Sequence, residues 1–593
     1  MEAITHIVIV WSTAISYKDE IVRDIKQKFE LLKVVKVHWT PSLFYDNLKV
    51  FYSHSLRDMN EELMKRVIRG KIKSVGKNDF YVIVFKDNSP TIGKRKTTSG
   101  ECIVNTSVFD LKEYYRKITG DSNIHSSNDS WETNKDLTIL FRQNTEDFVK
   151  NSLVGNNYNN DCLGVKGFDS LEQFFYLLNN TIDYCVLRNF EGIPEKYTLE
   201  GHDDIDLLVS HRHYALRLTG AKPKFAQEYR VFNYIYINNK KVAFDFRYIG
   251  DDYYDNNWEQ EILSTRILNK NLFYIPNDTN SYYSLLYHAF IQKRKIKDDY
   301  KPKLEKYAQR IGSVFYPDVF SSLQQIDNFL KKHHYCFSKP KDKSVVFNQS
   351  YVNVLEGWQF FTQKKEFKNI IPYKLDQITG SGYVYFIGSL CERKVFIKYG
   401  GIGETCKNEY YYSKKAYLRC NKHFVEPISF GDNNKTNYIV YEFVEGQSLM
   451  SYCTSISKNE KDNLGKQIID IYNTLCDECI MHRDIRPTNF IVKDGTVKLL
   501  DFQYAIDIKE KKELDCLRLD IKKALFLGED YRYKRNAWKD TFSIEKLLLT
   551  LNIDYDKKTL QEEPAIYIPF LRYYTYLIHR RINEIKKSFN IVR

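Results

Sequence analysis

The stretch Met481-His-Arg-Asp-Ile-Arg-Pro-Thr-Asn489 contains Asp484 and Asn489, two polar residues five positions apart. Twelve residues after Asn489 comes Asp501-Phe-Gln503. The intervening segment, 490–500, has the length of a short hairpin, which would bring Asp501 back beside the earlier loop. Two carboxylates and an amide placed together in this way can hold a divalent cation and orient a hydroxyl group.

These motifs resemble the catalytic loop and the metal-binding motif of the protein-kinase-like fold. The resemblance implies that Asp484 accepts or orients the acceptor hydroxyl, that Asp501 holds Mg²⁺ against the phosphates, and that Asn489 completes the metal shell. Phosphoryl transfer requires positioning and charge neutralisation more than covalent chemistry by the protein. ATP and Mg²⁺ are therefore the cofactors that this resemblance implies.

The residues upstream agree with this resemblance. Lys398 ends a predicted strand, as the family's phosphate-binding lysine does, and Glu409 near the start of a predicted helix is its implied ion-pair partner. Gly380 and Gly382 belong to a turn that resembles the Gly-rich turn over the nucleotide phosphates. Glu442 lies in an apolar strand that resembles the hinge strand, where adenine pairs with backbone groups. These residues are the implied nucleotide-binding set.

One position departs from the protein-kinase pattern and bears on the acceptor. Gln503 replaces the glycine of the family's Asp-Phe-Gly motif, and no Ala-Pro-Glu follows it. These features are more similar to kinases that phosphorylate lipopolysaccharide sugars or other small hydroxyl compounds. We therefore expect a sugar or lipid-linked glycan as the acceptor, with a protein acceptor as the alternative.

A second acidic pattern lies in the middle of the chain. Asp204 and Asp206 alternate along a predicted strand, so their side chains point to the same face. Asp245 lies among apolar residues of another predicted strand, and the set resembles the nucleotidyltransferase fold. The resemblance implies Mg²⁺ held by the three carboxylates, a nucleoside triphosphate as a further ligand, and a phosphate contact from Arg188. The alternative is an acidic turn on an ordinary strand edge.

A third resemblance concerns the segment Asn123-Ile-His125-Ser-Ser-Asn128, followed by Glu132 and the apolar pattern 136–141. This arrangement resembles the active-site segment of nucleoside diphosphate kinases. In that family the histidine is a nucleophile that carries phosphate between nucleotides, a role that the resemblance implies for His125. The alternatives are a structural or regulatory domain and a histidine that only satisfies the start of a helix.

Hydrophobic periodicity predicts the elements of the first block. We expect a strand over Thr5–Thr13, a helix over Lys18–Leu32, and strands over Val34–Thr40 and Phe80–Lys86. A polar stretch, Asn151–Asp161, is interpreted as the separator before the second block.

Length and composition set the scale of the protein. The 593 residues are 43% apolar, 28% charged and 15% aromatic, so several domains can each bury a sizeable core. Changes of pattern predict three domains: a nucleoside diphosphate kinase-like domain at 1–155, a nucleotidyltransferase-like domain at 165–340 and a protein-kinase-like domain at 345–593. The predicted class is multidomain α+β, with a ferredoxin-like, a nucleotidyltransferase and a bilobal kinase-like fold in that order.

Charge and cysteine usage bear on location and partners. The net charge is +13, but Lys residues are spread along the whole chain, which argues against a nucleic-acid surface. The 11 scattered Cys and the lack of a basic leader favour the cytoplasm. The basic amphipathic segment 573–593 either closes the last domain or docks on the anionic inner face of a membrane.

These inferences combine into one expected function. We expect a Mg²⁺-dependent phosphotransferase whose C-terminal kinase uses ATP on a sugar or lipid-linked glycan, and whose middle domain transfers a nucleotidyl or phospho group. Enzymes that build bacterial surface polysaccharide or lipopolysaccharide are similar combinations. The alternatives are a nucleotide-binding regulatory scaffold with degenerate catalytic folds and an RNA-directed nucleotidyltransferase. The sequence predicts no oligomeric state.

Overall fold

The structure is a computed structural model that describes residues 2–97, 100–120, 123–151, 154–194, 204–227, 229–293, 297–375, 382–401, 403–434, 436–507 and 540–561. Gly380, residues 201–203 and the basic segment 573–593 lie outside these ranges. The chain divides into two compact units, Met1–Asn348 and Gln349–Arg593. Within the described ranges, no helix has the length and apolar character needed to span a bilayer. The mixed α+β class predicted from the sequence is confirmed.

The first unit contains both of the first two predicted blocks. Its described strands are β1 (Ile4–Val10), β2 (Glu30–Val37), β3 (Phe80–Asp87), β4 (Ile92–Thr97), β5 (Gly100–Asn105), β6 (Ile124–Ser126), β7 (Asn157–Tyr158), β8 (Tyr184–Val186), β9 (Ile205–Val209), β10 (Lys222–Pro223), β11 (Phe232–Ile237), β12 (Lys240–Tyr248), β13 (Ile267–Asn269) and β14 (Phe273–Ile275). Its described helices are α1 (Lys18–Lys28), α2 (Phe44–Phe51), α3 (Glu61–Val75), α4 (Thr106–Thr119), α5 (Ser130–Phe141), α6 (Thr145–Asn151), α7 (Leu171–Asn179), α8 (Arg212–Leu218), α9 (Asn256–Ser264), α10 (Asp278–Ile291), α11 (Tyr300–Arg310) and α12 (Val319–Lys332).

The first sheet of this unit has the strand order β6-β1-β3-β2-β7. Its neighbours are antiparallel except β2 and β7, which are parallel. Helices α1 and α4 cover one face, where Val8, Ile25, Phe85 and Tyr115 join one apolar cluster. Because α5 also contacts β1, that strand is covered on both faces, which explains its continuous apolar sequence.

The ends of the predicted elements differ from those observed. The predicted strand Thr5–Thr13 ends at Val10, because a 3₁₀ helix begins at Ser12. The predicted helix Lys18–Leu32 ends at Lys28, and the chain has entered β2 by Glu30. In both cases apolar residues continue past the end of the element into the next one, so hydrophobic periodicity cannot locate the boundary between them.

The polar stretch before the second block is built into the first unit. Its Asn157–Tyr158 segment adds strand β7 to the sheet beside β2. The buried Asp161 carboxylate accepts hydrogen bonds from Thr40 N (2.9 Å) and Asn47 Nδ2 (2.8 Å). The stretch therefore packs against the first sheet and does not behave as a solvated linker.

The second sheet of the first unit has the order β10-β11-β12-β9-β8. Strands β9 and β12 are parallel and place Asp206 directly beside Asp245, whereas the other neighbours are antiparallel. The turn from β11 to β12 is Asn238-Asn239, and both residues have left-handed backbone (φ 48° and 60°). Asparagine tolerates this conformation, which two-residue hairpin turns require.

The second unit contains a sheet followed by a largely helical part. Its described strands are β15 (Phe367–Pro372), β16 (Val384–Leu390), β17 (Arg393–Gly401), β18 (Pro427–Asp432), β19 (Asn437–Glu442), β20 (Gln447–Ser448), β21 (Ile480–Met481), β22 (Phe490–Lys493), β23 (Thr496–Leu499) and β24 (Ile506–Asp507). Its described helices are α13 (Gln349–Thr362), α14 (Thr405–Arg419), α15 (Leu449–Tyr452), α16 (Lys458–Asp477) and α17 (Asp540–Thr550).

The sheet of the second unit has the antiparallel order β15-β16-β17-β19-β18, with α14 against β18 and β19. The helical part is centred on α16, where Ile468 and Tyr472 share an apolar core with Phe490 and Leu548. Lys398 was expected to end its strand, but β17 continues to Gly401 in pairing with β19. The lysine therefore lies inside the sheet, where the backbone on both sides holds it.

The loop that contains Gly167 packs closely against strand β11 in the first unit, and a substitution of this glycine tests that contact. Gly167 has φ +86°, and a Cβ there would lie 2.4 Å from the carbonyl oxygen of Tyr236. We expect Gly167→Ala to lower the free energy of unfolding by about 2–4 kcal/mol, since left-handed backbone and overpacking both contribute. Urea unfolding followed by tryptophan fluorescence measures this change.

The matched control is Gly312→Ala, which has φ +65° and nothing within 4 Å of the added carbon. It should lose only the backbone component, about 1 kcal/mol. Equal losses in the two variants would show that the close approach at Gly167 contributes nothing.

Candidate functional site

Lys398 and Glu409 form a buried ion pair in the second unit. In β17, Val395, Ile397 and Tyr399 are buried toward one face, which directs Lys398 to the other. Glu409 is fully buried on the packed face of α14, and its Oε2 lies 3.0 Å from Lys398 Nζ. A buried carboxylate without a cation would be strongly destabilising, so the sheet and the helix are fixed to each other by this pair.

The same ammonium binds two residues of the Asp-Phe-Gln motif. Lys398 Nζ donates to Asp501 Oδ1 (2.6 Å) and to Gln503 Oε1 (3.0 Å). Although burial opposes the charged form, Asp501 and Glu409 raise the pKa of Lys398 well above its ordinary value. Burial also opposes the charge of Asp501, but Lys398 lowers the pKa of that carboxyl. Both groups are therefore charged at neutral pH.

Asp484 and Asn489, the residues predicted for the catalytic loop, are in direct contact just before the β22–β23 hairpin. Asn489 Nδ2 donates to Asp484 Oδ2 (2.9 Å), and Arg486 Nη2 lies 3.1 Å from the same oxygen. Strands β22 and β23 form the predicted hairpin, which returns the chain so that Leu500 N donates to Asn489 O (3.0 Å). The hairpin thus delivers Asp501 beside the loop that carries Asp484.

Two residues that the sequence did not single out anchor this loop. His482 is fully buried, its Nε2 lies 3.1 Å from Leu500 O, and its ring is 4.7 Å from that of Phe502. Asp540, at the start of α17, accepts hydrogen bonds from the backbone of His482 and from Arg483 N (2.9 Å). The only sequence signal for Asp540 was an acidic residue before an apolar helical pattern, which is too common to indicate a role.

The donor set of this site suits Mg²⁺. Asp501 and Asn489 offer carboxylate and amide oxygens, the ligand types that Mg²⁺ prefers. The amide nitrogen of Asn489 is held by Asp484, which fixes the amide oxygen on the opposite side. Asp501 has left-handed backbone (φ 71°), an uncommon conformation that is concentrated at functional sites.

The remaining predicted nucleotide residues of the second unit either make other contacts or lie outside the described ranges. Glu442 ends β19, where its Oε1 accepts from Glu426 N (3.2 Å) and lies 3.4 Å from Lys498 Nζ. Gly382 has φ +81°, and its carbonyl accepts from Asn353 Nδ2 (3.1 Å). Gly380 lies outside the described residues. Neither Glu442 nor Gly382 has a described hydrogen bond to Lys398.

In the first unit, the structure brings together the three predicted carboxylates. One ligand oxygen from each of Asp204, Asp206 and Asp245 lies within 4.8 Å of the others. Burial, and next the Asp206 charge, raises the pKa of Asp245 to about 7. Arg188, predicted to contact phosphate, instead pairs with Asp206 Oδ1 (2.8 Å). Three oxygen donors in mutual repulsion are a donor set that fits Mg²⁺.

His125 lies in a separate polar cluster of the first unit. Strand β6 places it opposite Ile9 of β1, and its Nε2 lies 2.9 Å from Asp136 Oδ2. The second oxygen of Asp136 lies 3.0 Å from Lys135 Nζ. Burial lowers the pKa of His125, although Asp136 opposes this shift. The contact between Nε2 and the Asp136 carboxylate holds the imidazole in one orientation.

Comparison with known proteins points to the second unit. A family model described as protein kinase domain matches residues 398–524. The chain is 33% identical over 88 residues to sperm motility kinase 2A of Mus musculus, which is 14% of this chain and 18% of that protein. It is 33% identical over 85 residues to serine/threonine-protein kinase PrkC of Bacillus subtilis, which is 14% of this chain and 13% of that protein.

The chain thus spans only 13–18% of the length of these curated relatives. A protein kinase domain is confirmed at residues 398–524, and the comparisons support a phosphotransferase enzyme. The bounds 345–593 stay a prediction. Use of ATP and Mg²⁺ is general for the matched domain.

The anchoring role of Asp540 is testable by its removal. Asp540→Ala leaves the backbone amides of His482 and Arg483 without their carboxylate acceptor in a buried place. We expect a loss of about 2–4 kcal/mol in the free energy of unfolding of the second unit, the penalty for buried donors left unsatisfied. Urea unfolding measures it, with Asp540→Asn as a milder variant because one oxygen remains. An unchanged midpoint for Asp540→Ala would contradict this role.

The carboxylate cluster of the first unit predicts that a rise in pH lowers the stability of the protein and that bound Mg²⁺ raises it. Because the pKa of Asp245 is raised to about 7, the folded state binds its proton more tightly than the unfolded state does. Stability should therefore fall as the pH rises from about 4 to about 7, and Mg²⁺ should restore it at the higher pH. Asp245→Asn should make the fall shallower and remove the rescue by Mg²⁺, as measured by thermal unfolding; a fall remains because burial also raises the pKa of Glu259, to about 9.

The control for this experiment is Asp298→Asn, which removes a carboxylate from a fully exposed side chain. It should keep the pH profile and the Mg²⁺ response of the parent protein. A Mg²⁺ response that survives in Asp245→Asn would place the metal elsewhere.

Proposed function

We propose that the second unit transfers the γ-phosphoryl group of ATP to a hydroxyl group. The observation that carries the proposal is the buried Lys398 ammonium, which contacts both Glu409 and Asp501. This arrangement fixes a cation beside the carboxylate that would hold Mg²⁺. A charge-neutralising site of this kind is what phosphoryl transfer requires of a protein.

The residues of the loop have distinct roles in this proposal. Lys398 orients the nucleotide phosphates, and Asp484 accepts the proton of the attacking hydroxyl as the phosphoryl group is transferred. Arg486 Nη2, 3.1 Å from Asp484 Oδ2, orients that carboxylate. Asn489 fixes the other side of Asp484 through its amide nitrogen. Mg²⁺, held by Asp501 and Asn489, would neutralise charge that develops on the phosphates.

For the acceptor, we propose a sugar or lipid-linked glycan hydroxyl, as in surface-polysaccharide biosynthesis. Gln503 supports it, since it stands where the glycine of a protein kinase's mobile segment would be. The names of the relatives favour the alternative, because one of them is a serine/threonine-protein kinase. An assay with both acceptor classes separates these two proposals.

A second candidate function, nucleotidyl transfer, rests on the carboxylate cluster of the first unit. We propose a nucleotidyltransferase fold for 165–340, supported by the parallel pairing that puts Asp206 beside Asp245. In this proposal the three carboxylates hold Mg²⁺, and Arg188 turns from Asp206 to the phosphates of a nucleoside triphosphate.

For residues 1–155 we propose a ferredoxin-like, nucleoside diphosphate kinase-like fold. The order β6-β1-β3-β2, with neighbours antiparallel and helices between the strands, supports it. Phosphate transfer through His125 remains a prediction. Its imidazole is oriented through Nε2 by Asp136, which leaves Nδ1 as the atom that would carry phosphate.

The kinase proposal predicts a loss of activity from two isosteric substitutions. Asp484→Asn removes the proton acceptor and Asp501→Asn the metal-binding charge, so each should lower phosphoryl transfer by at least about 100-fold. The measurement is transfer of radiolabelled phosphate from ATP to a panel of glycans, lipid-linked glycans and proteins.

The control is Asp494→Asn, the same chemical change in the exposed hairpin turn, where backbone φ is 48° and asparagine is well tolerated. It should keep parental activity. Full transfer by both site variants would exclude the proposed mechanism, and nucleotide binding without transfer to any acceptor would favour a regulatory scaffold.

A further inference from the structure

The Lys398 ammonium is saturated by groups of the protein itself. An ammonium has three N–H donors. Those of Lys398 are directed at Glu409 (Oε2, 3.0 Å), Asp501 (Oδ1, 2.6 Å) and Gln503 (Oε1, 3.0 Å). The ring of Tyr383 lies on a further side, 4.5 Å from the nitrogen. A phosphate oxygen can therefore reach this cation only by replacing one of the three acceptors.

The three acceptors differ in how readily they can leave. Glu409 is fully buried and also accepts from Tyr441 Oη (2.8 Å), so its departure would strand a charge inside the protein. Asp501 is a carboxylate, and its hydrogen bond to an ammonium is charge-assisted at both ends. Gln503 offers a neutral amide oxygen, which makes the weakest of the three contacts. The glutamine is the acceptor that an incoming phosphate would displace.

We propose that Gln503 is a positioning residue that holds the phosphate-binding place on Lys398 until a nucleotide displaces it. The amide oxygen stands in for a phosphate oxygen and keeps the ammonium aimed toward the loop. The contact also competes with the nucleotide, so affinity for phosphate-bearing ligands is lower than the site would otherwise allow. This inference rests on the proposed function of the second unit, because it requires nucleotide phosphates to contact Lys398.

The proposal predicts how two substitutions of Gln503 change the affinity for nucleotides. A glutamine that only supported Lys398 would not give the same order of affinities. Gln503→Met keeps the length and volume of the side chain but removes the acceptor, so the competitor is lost. Gln503→Glu replaces the neutral acceptor by a charged one, which binds the ammonium more tightly. Affinity for phosphate-bearing nucleotides should thus rise in the first variant and fall in the second.

The experiment compares a non-hydrolysable ATP analogue with adenosine, both in the presence of Mg²⁺ and measured by calorimetry on the full chain. The Kd of the analogue should decrease about 3- to 10-fold in Gln503→Met and increase by at least as much in Gln503→Glu, the effect of one exchanged hydrogen bond. The Kd of adenosine, which has no phosphate, should be the same in all variants. Gln363→Met, the same change at an exposed position, is the control.

The results that would overturn the proposal are distinct. Equal analogue affinities in the three proteins would show that Gln503 does not compete with phosphate. Weaker analogue binding in Gln503→Met would show that the glutamine only supports the lysine. If one variant fails to fold, the other alone shows whether the Gln503 amide oxygen weakens or strengthens binding of the analogue. If the parent protein binds adenosine but the analogue no more tightly, phosphates do not reach Lys398, and the proposed function fails with the inference.

Discussion

The second unit depends on one buried positive charge. Lys398 is enclosed by side chains from three places in the chain: Glu409 on α14, Asp501 after the hairpin, and Gln503 two residues later. Removing Lys398 would leave the fully buried Glu409 carboxylate without its cation, which costs far more than the pair contributes in net stability. The helix, the sheet and the loop must therefore adopt their positions together, and the electrostatics of the site follow from that requirement.

Local spacing predicted the part of this site that one short segment carries. Asp484, Asn489 and Asp501 lie on a loop and a hairpin whose lengths are fixed, so their proximity could be inferred without knowing the fold. Asp540 could not be inferred, because its contact with His482 and Arg483 spans 57 or 58 positions and has no motif of its own. Gln503 appeared in the sequence only as a missing glycine, since a motif does not reveal which atom a replacement side chain will meet.

The first unit shows a similar division. The period of two along a strand was sufficient to place Asp204 and Asp206 together, and the parallel pairing of two strands added Asp245. The partner of Arg188 was not predictable, because Arg188 and Asp206 are 18 positions apart and no motif joins them. Element types were easier to predict than their ends: the strand that ends at Val10 continues as an apolar pattern, and only backbone geometry marks the change.

The pairing of β9 with β12 limits which insertions and deletions the protein can accept in evolution. Asp245 faces its two partners because it lies five residues after the first residue of β12, Lys240, and side chains along a strand alternate. One residue inserted between Lys240 and Phe244 would turn the carboxylate to the opposite side of the sheet. The Asn238-Asn239 turn precedes Lys240, so an insertion in the turn does not change the number of residues from Lys240 to Asp245. The turn can therefore lengthen, whereas this part of the strand cannot. A change in the number of residues before Asp245 would therefore separate the three carboxylates even if every residue type in the strand were kept.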